Sequence, residues 1–353
     1  MISKEDLQLL RDELTQRIEE GHSPGSIADK ISHLEKRRKE TSRDELEEIW
    51  LGLERLPHRT EFRHVEPSTL EEIRKARPRQ LPSTRIHLSP DQLRDKILGA
   101  WLGRCVGCML GRPVEGWKSG RIERYLRLAG SYPLTNYFPK LAEEPRDLKI
   151  QPRDERALLG NISGMIRDDD LDYTILNLHI FETYGSSFKT GEVAKEWLTH
   201  LPYLQVYTAE RVAMRNLING VSPFRSGSFR NPYREWIGAR IRADLWGYIA
   251  PGNPEIASEY TFRDAYLSHR KNGIYAEMLV AAMISWAFES SDIKEVLEVG
   301  YSSIPANSRL ARAISRVKSW YETHQDWQNT LQKIEDQYGS YHWIHAINNT
   351  AIL

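Results

Sequence analysis

Apolar residues recur at spacings of three and four along most of this chain, and stretches that alternate strictly between apolar and polar are almost absent. A repeat near 3.6 predicts helices that each bury one face, and so an all-α protein. Leu7, Leu10, Leu14 and Ile18 predict a first helix, Ile27, Ile31 and Leu34 a second, and Leu46, Ile49, Trp50 and Leu53 a third. Gly21-His22-Ser23-Pro24-Gly25 separates the first two, since glycine and proline punctuate regular structure. These charged helices, residues 1–60, are expected to form a solvent-washed appendage on a larger body. Residues 57–90 carry Pro57, Pro67, Pro78, Pro82 and Pro90 among many charges, the composition of an extended linker. The expected organisation is an appendage over 1–60, a linker over 61–90 and a main domain over 91–353.

Ser89-Pro90-Asp91 opens the main domain as an N-cap serine with proline in the first turn. In the helix that follows, Gly99, Gly103, Gly107 and Gly111 fall on one face. Each glycine costs roughly 1 kcal/mol against alanine, so a backbone or ligand is expected to approach that face closely. Ile97, Leu98, Trp101, Leu102 and Val106 occupy the other faces, and a buried helix is expected. Further helices are expected at 171–184, 192–199, 206–219, 234–247, 255–268, 273–289, 292–300, 306–322 and 326–337. Residues 276–288 are apolar nearly all round, which marks a central helix. Segments 111–165 and 220–233 read as long loops, natural positions for binding. Residues 341–353 read as an amphipathic helix ending on apolar residues without a C-cap signal. An uncovered apolar face, poor solubility and self-association are expected there.

Lysine plus arginine equals aspartate plus glutamate, 49 each in 353 residues. Zero net charge argues against a nucleic-acid partner captured by a global basic field. No apolar run approaches the ~20 residues of a membrane span, and Met1-Ile2-Ser3-Lys4-Glu5-Asp6 lacks a signal-peptide core. Two cysteines make no disulfide scaffold, and a cytoplasmic location is the default.

The densest chemistry is Asp168-Asp169-Asp170, with Asp172 close behind, ahead of an apolar-periodic helix. Crowded carboxylates repel one another unless a cation is near, and hard divalent ions take such oxygens. Acidic residues also suit a helix N-terminus through its dipole, so metal binding and capping both stand as readings. Glu115, in a loop set by Pro113 and Gly116, adds a carboxylate of the kind metal-assisted hydrolysis uses. Cys105 and Cys108 have redox-pair spacing, yet no strand precedes them and no second pair exists, so they read as small buried cysteines. Arg240, Arg242 and Asp244 fit either a charged helix face or phosphate contacts. His269 precedes the central helix, whose N–H groups would suit an anion. His342 and His345 lack the glutamate of a His-Glu-x-x-His site and read as part of a polar patch.

Taken in order, these motifs resemble those of the ADP-ribosylglycohydrolase family, which includes dinitrogenase reductase-activating glycohydrolase and the ADP-ribosyl-acceptor hydrolases. The resemblance runs from about Leu93 to the chain end. Gly103 to Glu115 resembles a Gly-x-x-x-Gly-x-x-x-Gly-x-Pro-x-Glu motif, although the family often has aspartate where Cys108 stands. Arg167-Asp168-Asp169-Asp170 resembles the family's Thr-Asp-Asp-Thr metal turn, with arginine replacing the first residue. Ile237 to Arg242 resembles an Asn-Gly-Ala-x-x-Arg substrate loop, with isoleucine replacing asparagine, and His269 stands where a Leu-x-His precedes the central helix.

The resemblance implies a compact, orthogonal multi-helix domain that hydrolyses an N- or O-glycosidic bond to ADP-ribose with a pair of Mg²⁺ or Mn²⁺ ions. It implies Asp168, Asp169 and Asp170 as metal ligands, and Glu115 and Asp169 as catalytic residues. Gly238, Arg242 and His269 would lie near the diphosphate and distal ribose. The substrate would be an ADP-ribosylated protein or a small-molecule ADP-ribose conjugate, with no nucleic-acid or membrane partner. Arg167 is expected to offset carboxylate charge in place of one metal. The family's C-terminal Gly-x-Asp-Thr-Asp motif is not found before Leu353, so a truncated or impaired hydrolase, completed by another segment or subunit, is expected. The alternatives are a non-catalytic ADP-ribose-binding protein, or a metal-dependent hydrolase of another nucleotide-sugar or glycoside.

Overall fold

A computed structural model describes residues 2–353. Among them every regular element is helical, and the only β pairings are isolated bridges, His22 with His58 and Trp236 with His345. The all-α architecture expected from the hydrophobic repeat is the one adopted. No helix among these residues is long and apolar enough to cross a membrane. The chain folds as two compact units, residues 1–86 with 176–353, and residues 87–175.

The larger unit is organised around the helix Asn272–Trp286, which buries Ile274, Tyr275, Ala276, Met278, Leu279, Ala281 and Ala282. It packs against the helices Pro254–Ala265, Ile293–Ser302 and Asp244–Tyr248. A Cβ added at Gly300 would stand 3.0 Å from the Leu279 carbonyl oxygen, so glycine there lets two helices close together. Leu310, Ala311, Ile314, Ile334 and Tyr338 extend the same core from the helices Arg309–His324 and Trp327–Tyr338.

Two expectations are corrected in this unit. The terminal helix is only Ala346–Ile352, because the His345 side chain accepts the Ile347 N–H and starts it there. Its Ala346, Ile347 and Ala351 lie in the main core, so the apolar face is covered, with Ile352 and Leu353 left exposed. The helix expected over 234–247 is broken into a turn, the 3₁₀ segment Arg240–Arg242 and the helix Asp244–Tyr248. Tertiary pairing causes the break: Ile237 N–H donates to Ile344 O, and Ala346 N–H to Glu235 O, both at 3.0 Å.

The N-terminal helices Lys4–Glu19, Ile27–Lys36 and Arg43–Glu54 gather Leu7, Leu10, Ile31, Leu34, Ile49, Trp50 and Leu53 into one buried cluster. Ser3 and Ser42 start the first and third with reciprocal capping boxes. Val212 and Tyr233 join this cluster from the main body, so one side of the appendage is docked. Buried charge pairs reinforce the docking: Arg234 donates to Glu13 and to Glu20, each at 2.7 Å. The proline-rich stretch is pinned too. It contains the helix Leu70–Ala76 with Ile73 fully buried, and Glu66 accepts from Arg309 at 2.7 Å.

The smaller unit holds the helices Pro90–Gly111 and Ser119–Leu128. Ser89 caps the first with a capping box, as its sequence implies. Residues 111–165 are more ordered than a loop, for Val114, Tyr125, Leu126, Phe138, Leu148, Ile150 and Leu158 make their own core. The helix Pro90–Gly111 departs from the buried helix expected, since only Met109 is buried. Nothing lies within 4 Å of where a Cβ would stand on Gly99, Gly103, Gly107 or Gly111. Leu98, Leu102 and Val106 are about half exposed. The glycine stripe removed side chains from that face, and among the described residues no other backbone fills the space.

Candidate active site

The aspartate triplet begins the helix Asp169–Tyr184. Asp168 caps it, its Oδ1 accepting the Asp170 N–H at 3.1 Å, so the capping reading holds for this carboxylate. Its other oxygen faces a different helix. On Pro90–Gly111, Arg104 and Cys108 are one turn apart, and Arg112 follows one turn later at the helix C-cap. Arg112 donates to Asp168 Oδ2 at 3.0 Å and to Asp154 at 2.9 Å. Arg104 lies 3.7 Å from Asp170 Oδ2, and the Cys108 thiol donates to that same oxygen at 3.4 Å. The ligand atoms of Cys108, Asp168 and Asp170 all fall within 4.8 Å of one another.

Glu115 joins the cluster from the turn after Arg112–Val114, where Gly116 adopts φ +74°. Burial raises the Glu115 carboxyl, and the nearby charges of Asp168 and Asp170 raise it further, against Arg112 and Arg153. Glu115 therefore lies within electrostatic reach of Asp168 and Asp170, although it is outside the three-donor group. Asp169 is not in the three-donor group, being turned about 100° round the helix from its neighbours. Nor does Arg167 supply the expected cation: it pairs with Asp172, and Arg112 with Arg104 carries the positive charge.

Arg104 and Arg112 are not singled out by the sequence, and Cys108 reads there only as a small buried cysteine. Their spacing of four is visible beside the glycine stripe, one position round the helix, and was the available signal. Both cysteines are free and partly buried rather than fully buried. Burial, then the Asp170 carboxylate, pushes the Cys108 thiol up, so it stays protonated and donates. Carboxylate oxygens suit a hard divalent ion, and a protonated thiol does not. Asp168 and Asp170 fit one such ion, and the negative charge they place on Glu115 is what that ion would relieve.

Gly238, Arg242 and His269 also converge, within the larger unit. Arg242 is wholly buried and donates to Glu210 at 2.7 Å, Asp264 at 2.8 Å, Ser268 at 3.2 Å and the Gly238 carbonyl at 3.2 Å. A side chain at Gly238 would overlap the Glu210 carboxylate. His269 is equally buried, with Nδ1 2.7 Å from Ser268 Oγ and Nε2 4.0 Å from Glu210. Burial, and the Arg242 charge beside it, hold His269 well below its usual range and therefore neutral. Burial raises the Glu210 carboxyl to about 7 even though Arg242 opposes it. Glu277, pushed well above its usual range by burial and by Asp264, completes a charge cluster closed to water.

A search of curated proteins finds no match to the chain. A family model described as ADP-ribosylglycohydrolase matches residues 89–353. That span contains the carboxylate cluster and the buried arginine cluster, and it covers well over half of the sequence. The chain belongs to the ADP-ribosylglycohydrolase family.

Proposed function

We propose that residues 89–353 hydrolyse a glycosidic bond to ADP-ribose with the help of a divalent ion, Mg²⁺ or Mn²⁺. The observation that carries this reading is the pair of converging carboxylates Asp168 and Asp170 inside the family-matched span, with Glu115 raised by burial and by their charge. Asp168 and Asp170 would hold the ion, and Asp169 adjoins on the same turn. When bound, such an ion supplies an acidified water and polarises substrate oxygens. A carboxyl that keeps its proton more readily than usual is suited to deliver it to a leaving group, and Glu115 has that property. Gly238, Arg242 and His269 would act by shaping the interior, since Arg242 and His269 are closed to solvent.

The test is release of ADP-ribose from arginine- and serine-linked peptides and from small ADP-ribose conjugates, with Mg²⁺, with Mn²⁺ and with EDTA. Metal-dependent release that falls to the EDTA background in D168N and D170N is the expected result. A second reading, a non-catalytic ADP-ribose-binding protein, is favoured by the Arg112–Asp168 pair, which an incoming ion would have to displace. ADP-ribose binding without release from any of these conjugates would select it.

A further inference from the structure

A second set of metal-capable side chains lies in the larger unit. His179 stands on the helix Asp169–Tyr184, while Glu196 and His200 are one turn apart on Thr190–His200. Their ligand atoms lie within 4.8 Å of one another. Glu196 Oε2 is 3.2 Å from His179 Nε2 and 3.0 Å from His200 Nε2. Zinc bonds of about 2.0–2.1 Å in a tetrahedron put neighbouring donors about 3.3 Å apart, so these separations are already close to those of a ligand set.

The surroundings favour a receptor over a plain ion pair. Glu196 Oε1 accepts the Tyr184 hydroxyl at 2.5 Å, which holds the carboxylate so that Oε2 faces both rings. The Glu196 side chain is 7 % exposed, and the imidazoles are 47 % and 45 % exposed. A largely buried, hydrogen-bonded anion therefore lies beside two rings that solvent can reach, meeting edge to face at 4.9 Å between centroids. One imidazole would satisfy that oxygen; two converge on it. Nitrogen and carboxylate donors together suit zinc, nickel or copper better than magnesium.

We propose that His179, Glu196 and His200 form a three-ligand site for a transition-metal ion, Zn²⁺ first, with the remaining position open to water. The ion would clamp the end of Asp169–Tyr184 to the end of Thr190–His200. The site shares no residue with the carboxylate cluster and stands whether or not the chain is a hydrolase.

The full chain, stripped with chelator and dialysed, is titrated with Zn²⁺ by calorimetry in excess Mg²⁺, and with Co²⁺ by visible absorption. One equivalent of Zn²⁺ and a tetrahedral cobalt spectrum are expected. Both should be lost in H179A/H200A and kept in D168N/D170N. H200N and E196Q, checked for native circular dichroism, should each weaken zinc binding at least tenfold. The proposal is overturned if the unmodified chain takes up no zinc, or if H179A/H200A binds it with unchanged affinity and stoichiometry.

Discussion

Arg309 donates to the Glu235 carboxylate at 2.6 Å with both side chains buried, although 74 positions separate them in the chain. Burial by itself would raise the Glu235 carboxyl. Arg309, with His345 and Lys271, outweighs that and holds it well below the usual carboxylate range. Arg309 also reaches Glu66, so it bridges the proline-rich segment to the main body. Removing one partner of a buried pair leaves the other charge uncompensated, at a cost of about 3–5 kcal/mol. E235Q should lose stability of that order in urea unfolding, and pairing it with R309M should recover part of the loss. A loss below ~1 kcal/mol would place the pair among those that contribute little.

Neighbouring carboxyls give the chain opposite responses to pH. Burial, then Glu235, raises Glu19 from 4.5 to about 7. Burial pushes Glu20 the same way, but Arg234 and Lys271 outweigh it and pull it to about 2. A lowered group stabilises the fold above its unfolded value and loses that contribution as pH falls through the folded one. A raised group does the reverse, so Glu19 contributes below 4.5 and loses that contribution as pH rises to about 7. Glu210 has the same sign and upper limit. E19Q should flatten the fall in unfolding midpoint between about pH 5 and 7, and E20Q should lower stability at neutral pH. An E19Q profile parallel to the parent would contradict this assignment.

Because Arg112 occupies Asp168, it competes with any cation there. R112Q is expected to tighten Mn²⁺ binding by about threefold to tenfold, the equivalent of the ~1 kcal/mol that a partly exposed pair contributes. Manganese titration followed by electron paramagnetic resonance measures it. Unchanged affinity would mean that the ion and the guanidinium do not share a carboxylate.

Cys108 should resist alkylation. Burial and Asp170 favour its protonated form, and only the thiolate attacks. In a C105S background at mildly alkaline pH, iodoacetamide should label it far more slowly than free glutathione. D170N should speed that labelling, as mass spectrometry can follow. Labelling as fast as glutathione would refute the protonated, donating thiol.

Local chemistry was legible in the chain, and long-range chemistry was not. Ser89 with Pro90 announced a helix start, and the apolar run at 276–288 marked the helix that became the centre of the core. Capping and periodicity act within a few residues, so sequence displays them. The glycine stripe misled, because a missing side chain permits a close approach without supplying the partner. Glu115 and the triplet were seen as carboxylates. The arginines that balance them come from another helix, and pairing at a separation of 56 residues leaves no periodic trace. Arg242 fits a charged helix face or a phosphate contact because its charge is evident in sequence, whereas its three acidic partners are gathered only by folding.

The docked N-terminal helices change what counts as a unit of inheritance. The family-matched span begins at residue 89, yet Arg234, Lys271 and Arg309 within it are neutralised by Glu13, Glu20 and Glu66, which lie before it. A gene cut at the family boundary would leave cations in the interior facing no carboxylate from that side. Such a fragment would keep its family motifs while buried Arg234 lost both of its carboxylates and Arg309 one of two. In this protein the border of recognisable ancestry and the border of the buried charge network fall at different places.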